Sequence, residues 1–109
     1  MSRSHSSEQE LLQNILQPLL TDFEYWFSRS IELLSGAQVP FLSPLVQADL
    51  LDRVKQAQQE VRVAQMLFQA IDGQVGVEPS QMLGWHQLVT ECWQVSMQLR
   101  QSQQTKIEE

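Results

Sequence analysis

The chain is poor in the residues from which catalytic and nucleic-acid-binding sites are usually built. Among 109 residues there are one cysteine, two histidines, four glycines and four prolines. A lone Cys92 forms no internal disulfide, so a disulfide scaffold is excluded and a reducing, cytoplasmic setting is expected. So few Gly and Pro also exclude collagen-like and low-complexity chains. Basic residues are scarce as well, with seven Lys and Arg against thirteen Asp and Glu and a net charge of −6. Nucleic-acid binding depends on Lys and Arg displacing counterions, so no nucleic-acid partner is expected, and anionic membrane surfaces are disfavoured for the same reason. No run approaches the ~18 consecutive apolar residues of a membrane span, which predicts no integral membrane segment. Met1 to Ser7 is polar and Ser-rich, without the apolar stretch of a signal peptide.

What is present is enough for one core. Hydrophobic residues make up 42% of the chain, and a length of 109 residues fits a single domain. Glutamine is the outlier, with eighteen copies against twenty charged residues. Gln is a good helix former that offers donors and acceptors without charge. Gln56, Gln58, Gln59, Gln65 and Gln69 are expected to give the second helix a neutral polar face.

Three segments carry the 3–4 alternation of a helix with a buried seam. The first runs Leu12, Leu16, Leu19, Phe23, Trp26, Ser30, Leu33. The second runs Leu50, Val54, Ala57, Val61, Ala64, Phe68, Ile71, and the third Trp85, Leu88, Cys92, Val95, Leu99, Ser102. The small Ala57 and Ala64 leave room for bulky partners, and Phe23, Trp26 and Trp85 are the candidates to fill it. Period-two alternation is absent over any useful length, so the fold is all-α.

The punctuation agrees. Ser35-Gly36 ends the first helix, with Gly36 in the left-handed conformation that closes a helix cheaply. Ser43 caps the second, whose first turn accommodates Pro44. Asp72-Gly73 ends it, and Pro79 stands near the start of the third. Links of about seven residues usually join antiparallel neighbours. The expectation is an antiparallel up-down-up three-helix bundle with helices over about 8–35, 44–72 and 79–103. A single domain then covers 8–103, with disordered ends at 1–7 and 104–109. Pro18 is the local conflict, because an interior proline loses a hydrogen bond and costs ~3 kcal/mol unless a bend absorbs it. At about 100° per residue it lies opposite the seam, where it bends the helix around the core or breaks it near residue 17.

No catalytic constellation emerges. Di-metal bundles need Glu-x-x-His pairs on two helices, and His5 and His86 have no carboxylate at that spacing. Cys92 sits on a seam, where a free cysteine usually fills space, and His86 lies about 120° away around the helix. Arg29, Arg53, Lys55, Arg62 and Arg100 do not converge as the cations of a chorismate-mutase-like bundle would. Asp72-Gly-Gln-Val-Gly-Val77 lacks the Lys-Ser/Thr of a phosphate loop. No catalytic residue, metal ligand or cofactor is assigned. One weaker arrangement remains, in which His86 with Trp85 and Trp93 forms an aromatic box around a tetrapyrrole or other small molecule.

The informative residues are those the seams do not use. Tyr25 lies on the polar face of the first helix with Arg29 one turn later, a pattern that predicts a surface pair. Val63, Met66 and Ala70, with Leu45, project away from the seam of the second helix. Trp93 and Met97 flank the seam of the third beside His86 and Thr90. The linkers add Val39, Phe41, Leu42, Val75 and Val77, of which Phe41 and Val75 are expected to cap the bundle ends. Exposed Trp, Tyr, Met and Arg are the types enriched in protein interfaces.

Pro18-Leu-Leu-x-Asp22-Phe-x-Tyr-Trp-Phe27, Gln47-Ala-Asp-Leu-Leu51, Asp72-Gly-Gln-Val-Gly-Val77 and Trp85-His-x-Leu-Val-x-Glu-Cys-Trp93 together resemble a small family of cyanobacterial proteins classed as a domain of unknown function. The resemblance covers about residues 8–100 and implies a cyanobacterial cytoplasmic protein. It carries no activity and transfers no functional residue. The expectation is therefore a non-enzymatic helical protein-interaction module, an adaptor or assembly factor, with a homodimer as one form. The interaction residues are Tyr25, Arg29, Val63, Met66, Ala70, Trp93 and Met97. The alternative is a pigment- or small-molecule-binding bundle using His86, Trp85 and Trp93.

Overall fold

In the computed structural model, the described backbone covers residues 2–70 and 77–108, and the described side chains are those of 11, 14–70 and 77–103. Three helices account for nearly all of it: α1 (Ser2–Gly36), α2 (Pro44–Ala70) and α3 (Pro79–Glu108). Side-chain links fix the directions. Gln47 reaches the Leu34 carbonyl and Gln58 reaches Ser28, so α2 runs antiparallel to α1. Arg53 bonds Glu91 while Trp85 bonds Glu60, so α3 runs antiparallel to α2. The up-down-up bundle expected from the seams is what forms. The radius of gyration is 17.7 Å, against ~13 Å for a round domain of this length, so the bundle is elongated. At ~1.5 Å per residue a helix of 35 residues dictates that shape.

The helix boundaries follow local chemistry. Ser43 Oγ accepts the Val46 N–H at 3.2 Å and its carbonyl accepts the Gln47 N–H at 2.9 Å, with Pro44 at the first helical position. Glu78 plays the same part for α3, its carbonyl accepting the N–H groups of Gln81 and Met82 just after Pro79. Helix α1 does end at Gly36, but Gly36 is not in the left-handed conformation expected of it. The orphan carbonyls there are bonded by a side chain from α2 instead, so no left-handed residue is needed. The stop at Asp72-Gly73, and Ile71 and Val75 with it, lie outside the described residues.

Two further features concern the ends and the middle of the helices. Helix α1 starts at Ser2 and α3 reaches Glu108, outside the expected bounds of about 8 and 103. Neither flank contains Gly or Pro, so nothing in it stops a helix already nucleated by the core. Pro18 does not break α1, which runs through it. It is exposed, so its ring meets no packed neighbour across the bundle.

The core is formed by Leu16, Leu20, Phe23, Phe27 and Leu34 of α1, Leu50, Val54, Ala57, Val61 and Phe68 of α2, and Trp85, Leu88 and Cys92 of α3. The α2 and α3 seams agree with expectation over their described positions, except that Ser102 is exposed. On α1 the buried stripe is shifted by one position over half its length: Leu20, Phe27 and Leu34 are buried where Leu19, Trp26 and Leu33 were expected. The cause is that α1 touches both other helices and needs a wider apolar face than a single seam. Phe23 stacks near Phe27, with centroids 6.1 Å apart, and meets Trp85 edge-on at 5.5 Å. Phe41, Leu42 and Val77 pack against this core from the linkers, and Val39 is buried in it. At about 25 cal/mol per Å² of apolar surface, this burial is the main force holding the bundle.

Among the described residues, two polar ones are buried with it. Gln47, 7% exposed, satisfies its whole amide: Nε2 donates to the carbonyls of Leu34 and Ala37 at 2.9 Å each, and Oε1 accepts from Val39 N–H at 2.7 Å and Gln38 Nε2 at 2.8 Å. Gln58, expected on the outer face, points inward and donates to Ser28 Oγ at 2.8 Å. It sits one position after Ala57, where α2 turns toward α1.

Candidate functional site

The expected surface residues resolve into two places. On the α1/α3 side, Tyr25 and Arg29 form the predicted pair: Arg29 Nη1 donates to Tyr25 Oη at 3.3 Å, and its guanidinium carbon lies 5.8 Å from the ring centroid. Tyr25 meets Trp26 edge to face at 5.1 Å, and Trp26 meets Trp93 the same way at 5.2 Å. Trp26 was expected in the core. Phe27 takes the inward position, and the ~100° step back along the helix puts Trp26 at the bundle margin, 36% exposed. That displacement joins two pairs that were expected to be separate. Tyr25, Trp26 and Trp93 form one strip of rings across two helices, with Met97 exposed one turn beyond Trp93.

Beside the strip, α1 and α3 leave a groove of about 220 Å³. Its apolar walls come from Leu19, Phe23 and Val89, its rings from Trp26 and Trp93, and its polar groups from Asp22, His86 and Thr90. Thr90 spends its hydroxyl proton on the His86 carbonyl at 3.0 Å. Trp85 does not join His86 and Trp93 here. It is 2% exposed, packed on Phe23, and its indole N–H donates to Glu60 at 3.0 Å. The groove also falls below the ~300–1,000 Å³ typical of small-molecule pockets, which leaves little room for a tetrapyrrole.

On the α2/α3 side, Val63 lines a larger apolar cleft of about 410 Å³ with Ala64, Leu67 and Val77, edged by Glu60 and Glu78. Met66 and Ala70 lie outside this lining, and both are exposed. Leu67 and Leu83 are exposed too and were not expected to be surface residues of interest. Leu67 lies next to the seam residue Phe68, and Leu83 falls outside the third seam, a signal that was legible.

Ion pairs link charged groups within and between the helices. Arg53 bridges Asp49 at 3.0 Å and Glu91 at 2.9 Å, and the Glu91 bond above all holds its proton more firmly than usual. Arg62 Nε donates to Glu24 Oε1 at 3.0 Å, while Glu24 Oε2 is buried without a hydrogen bond. The cations are thus spread along the bundle. Burial pushes the Cys92 thiol above its ordinary pKa, partly offset by a hydrogen bond with Ser30. That keeps it a poor nucleophile. Among the described residues no group of three His, Cys, Asp or Glu side chains could hold a metal ion. No described helix is long and apolar enough to cross a membrane.

The fold places the chain among small all-helical three-helix proteins. More particularly, the family model described as "Protein of unknown function (DUF2605)" matches residues 6–101, and the chain belongs to that family. No curated protein and no solved structure matches it.

Proposed function

We propose that the chain is a non-enzymatic protein-interaction module, an adaptor or assembly factor that works through its helical surfaces and self-associates as a homodimer. One observation carries this reading: Tyr25, Trp26 and Trp93 line up ring to ring on the outside of the bundle, with Arg29 and Met97 beside them. Aromatic rings, Met and Arg are the residues that concentrate binding energy at protein contacts. The cleft at Val63, with Met66 63% exposed nearby, supplies a second apolar surface on the opposite pair of helices. Two such surfaces suit a protein that bridges others, and the uncharged Gln-rich faces between them are cheaper to desolvate than charged ones.

The test is multi-angle light scattering on the full chain at increasing concentration, beside Trp93→Ser and the pair Val63→Lys with Met66→Lys. The reading expects the wild type to approach twice its monomer mass. One of the two variants should stay at the 12.6 kDa of a single chain with unchanged helicity. Identical masses for all three at every concentration contradict self-association through either surface.

A further inference from the structure

The groove between α1 and α3 has a composition that selects its occupant. Two indoles, Trp26 and Trp93, meet edge to face and line a slot together with Leu19, Phe23 and Val89. Asp22 is the one carboxylate in the lining, and no Lys or Arg is among the lining residues. Asp22 stands one helical turn before Trp26, is exposed, and makes no hydrogen bond or ion pair. Three other acids near helix contacts, Glu24, Asp49 and Glu91, are each engaged by an arginine. A slot of about 220 Å³ has side-chain dimensions. Indole faces attract cations through the ring quadrupole, and a carboxylate accepts a guanidinium through two parallel hydrogen bonds. An apolar floor suits the methylene stem that joins them. The same strip already carries one guanidinium, that of Arg29 over Tyr25.

The geometry points to a binding site for an arginine side chain of a partner protein, with an indole face of Trp26 or Trp93 stacked on the guanidinium plane and Asp22 pairing its charge. The inference rests on the interaction reading above and names the chemistry its partner must offer. Lysine fits less well, because an ammonium is a strongly hydrated point charge without a plane to stack. The net charge of −6 favours the approach of a basic segment from a distance. His86 and Thr90 line the same slot from α3.

The experiment titrates the full ¹⁵N-labelled chain with N-acetyl-arginine methylamide and, separately, with the uncharged isostere N-acetyl-citrulline methylamide. The indole N–H signals are followed. Trp85 serves as the internal control, since it is buried and bonded to Glu60. The arginine probe should shift Trp26 and Trp93 saturably and leave Trp85 in place. The citrulline probe should bind about tenfold more weakly, the loss expected for a charge-assisted pair. Asp22→Asn should bring the arginine probe down to the citrulline level while helicity is unchanged. Equal responses to the two probes, no saturable shift, or indifference to Asp22→Asn overturns the assignment. If the probe fails while Trp93→Ser still alters the association state, the arginine site falls and the interaction reading stands. If both are silent, both fall.

Discussion

Trp26 of α1 and Trp93 of α3 meet edge to face at 5.2 Å on the outside of the bundle, each at least one-third exposed. Aromatic pairs in this geometry are worth about 0.5–1.5 kcal/mol beyond area burial. A double-mutant cycle with Trp26→Ala and Trp93→Ala should therefore give a coupling energy in that range by urea denaturation. A coupling of zero contradicts the contact.

Gln47 tests how the α1–α2 linker is held. Gln47→Ala removes two donors from the carbonyls of Leu34 and Ala37 and an acceptor from the Val39 N–H. Leaving buried backbone groups unpaired costs ~1–3 kcal/mol each, and water reaching the linker recovers part of it. The expected loss of stability is about 2–4 kcal/mol, measured as a fall in the urea midpoint. A loss under ~1 kcal/mol would mean that the linker holds itself.

Cys92 gives a prediction with a sign. Burial raises the folded thiol above its ordinary value of 9.0, so the unfolded chain ionises first as pH rises. The folded state then binds more protons than the unfolded one, and stability falls with pH. The contribution is complete below about pH 8 and fades above about pH 9. Measured as a difference, the stability advantage of wild type over Cys92→Ala should shrink between about pH 8 and pH 10. The thiol should also resist alkylation in the folded chain and react freely in denaturant. Rapid alkylation of the native protein would refute its burial.

Pro18 should be a stabilising site. It sits exposed inside α1, where Ala restores one backbone donor and removes a ring that crowds the carbonyl of Asn14. Against a propensity difference of ~3 kcal/mol stands the loss of proline's restriction on the unfolded chain, ~0.4–1 kcal/mol. Pro18→Ala is expected to raise stability by about 2–2.5 kcal/mol, read from thermal unfolding. A lower melting temperature would show that the proline shapes α1 for its partners.

Much of the fold can be read directly from residue spacing. The α2 seam from Leu50 to Phe68 is legible because its apolar residues keep one phase and touch neighbours on one side. The α1 seam is half legible, since a helix packed on two others buries a broad face and a narrow seam misplaces Trp26 and Leu33. Tyr25 and Arg29 were readable as an i, i+4 pair, and the structure brings them together. Gln47 was not readable in this way. A glutamine is ordinarily solvated, and what buries this one is the path of the linker carbonyls around it, which no periodicity encodes. The joining of Tyr25 and Trp93 through Trp26 depends on how α3 docks on α1, a distance set by Phe23 and Trp85 in the core.

The most direct test of the interaction reading is the size of the native assembly. Tagged wild type and a Tyr25→Ser, Trp93→Ser variant would be compared by gel filtration of extract from the cells that make the protein. The account predicts that the wild type elutes well above the 12.6 kDa of one chain, and that the variant, equally helical by circular dichroism, shifts toward it. Wild type and variant eluting together as single chains would contradict it.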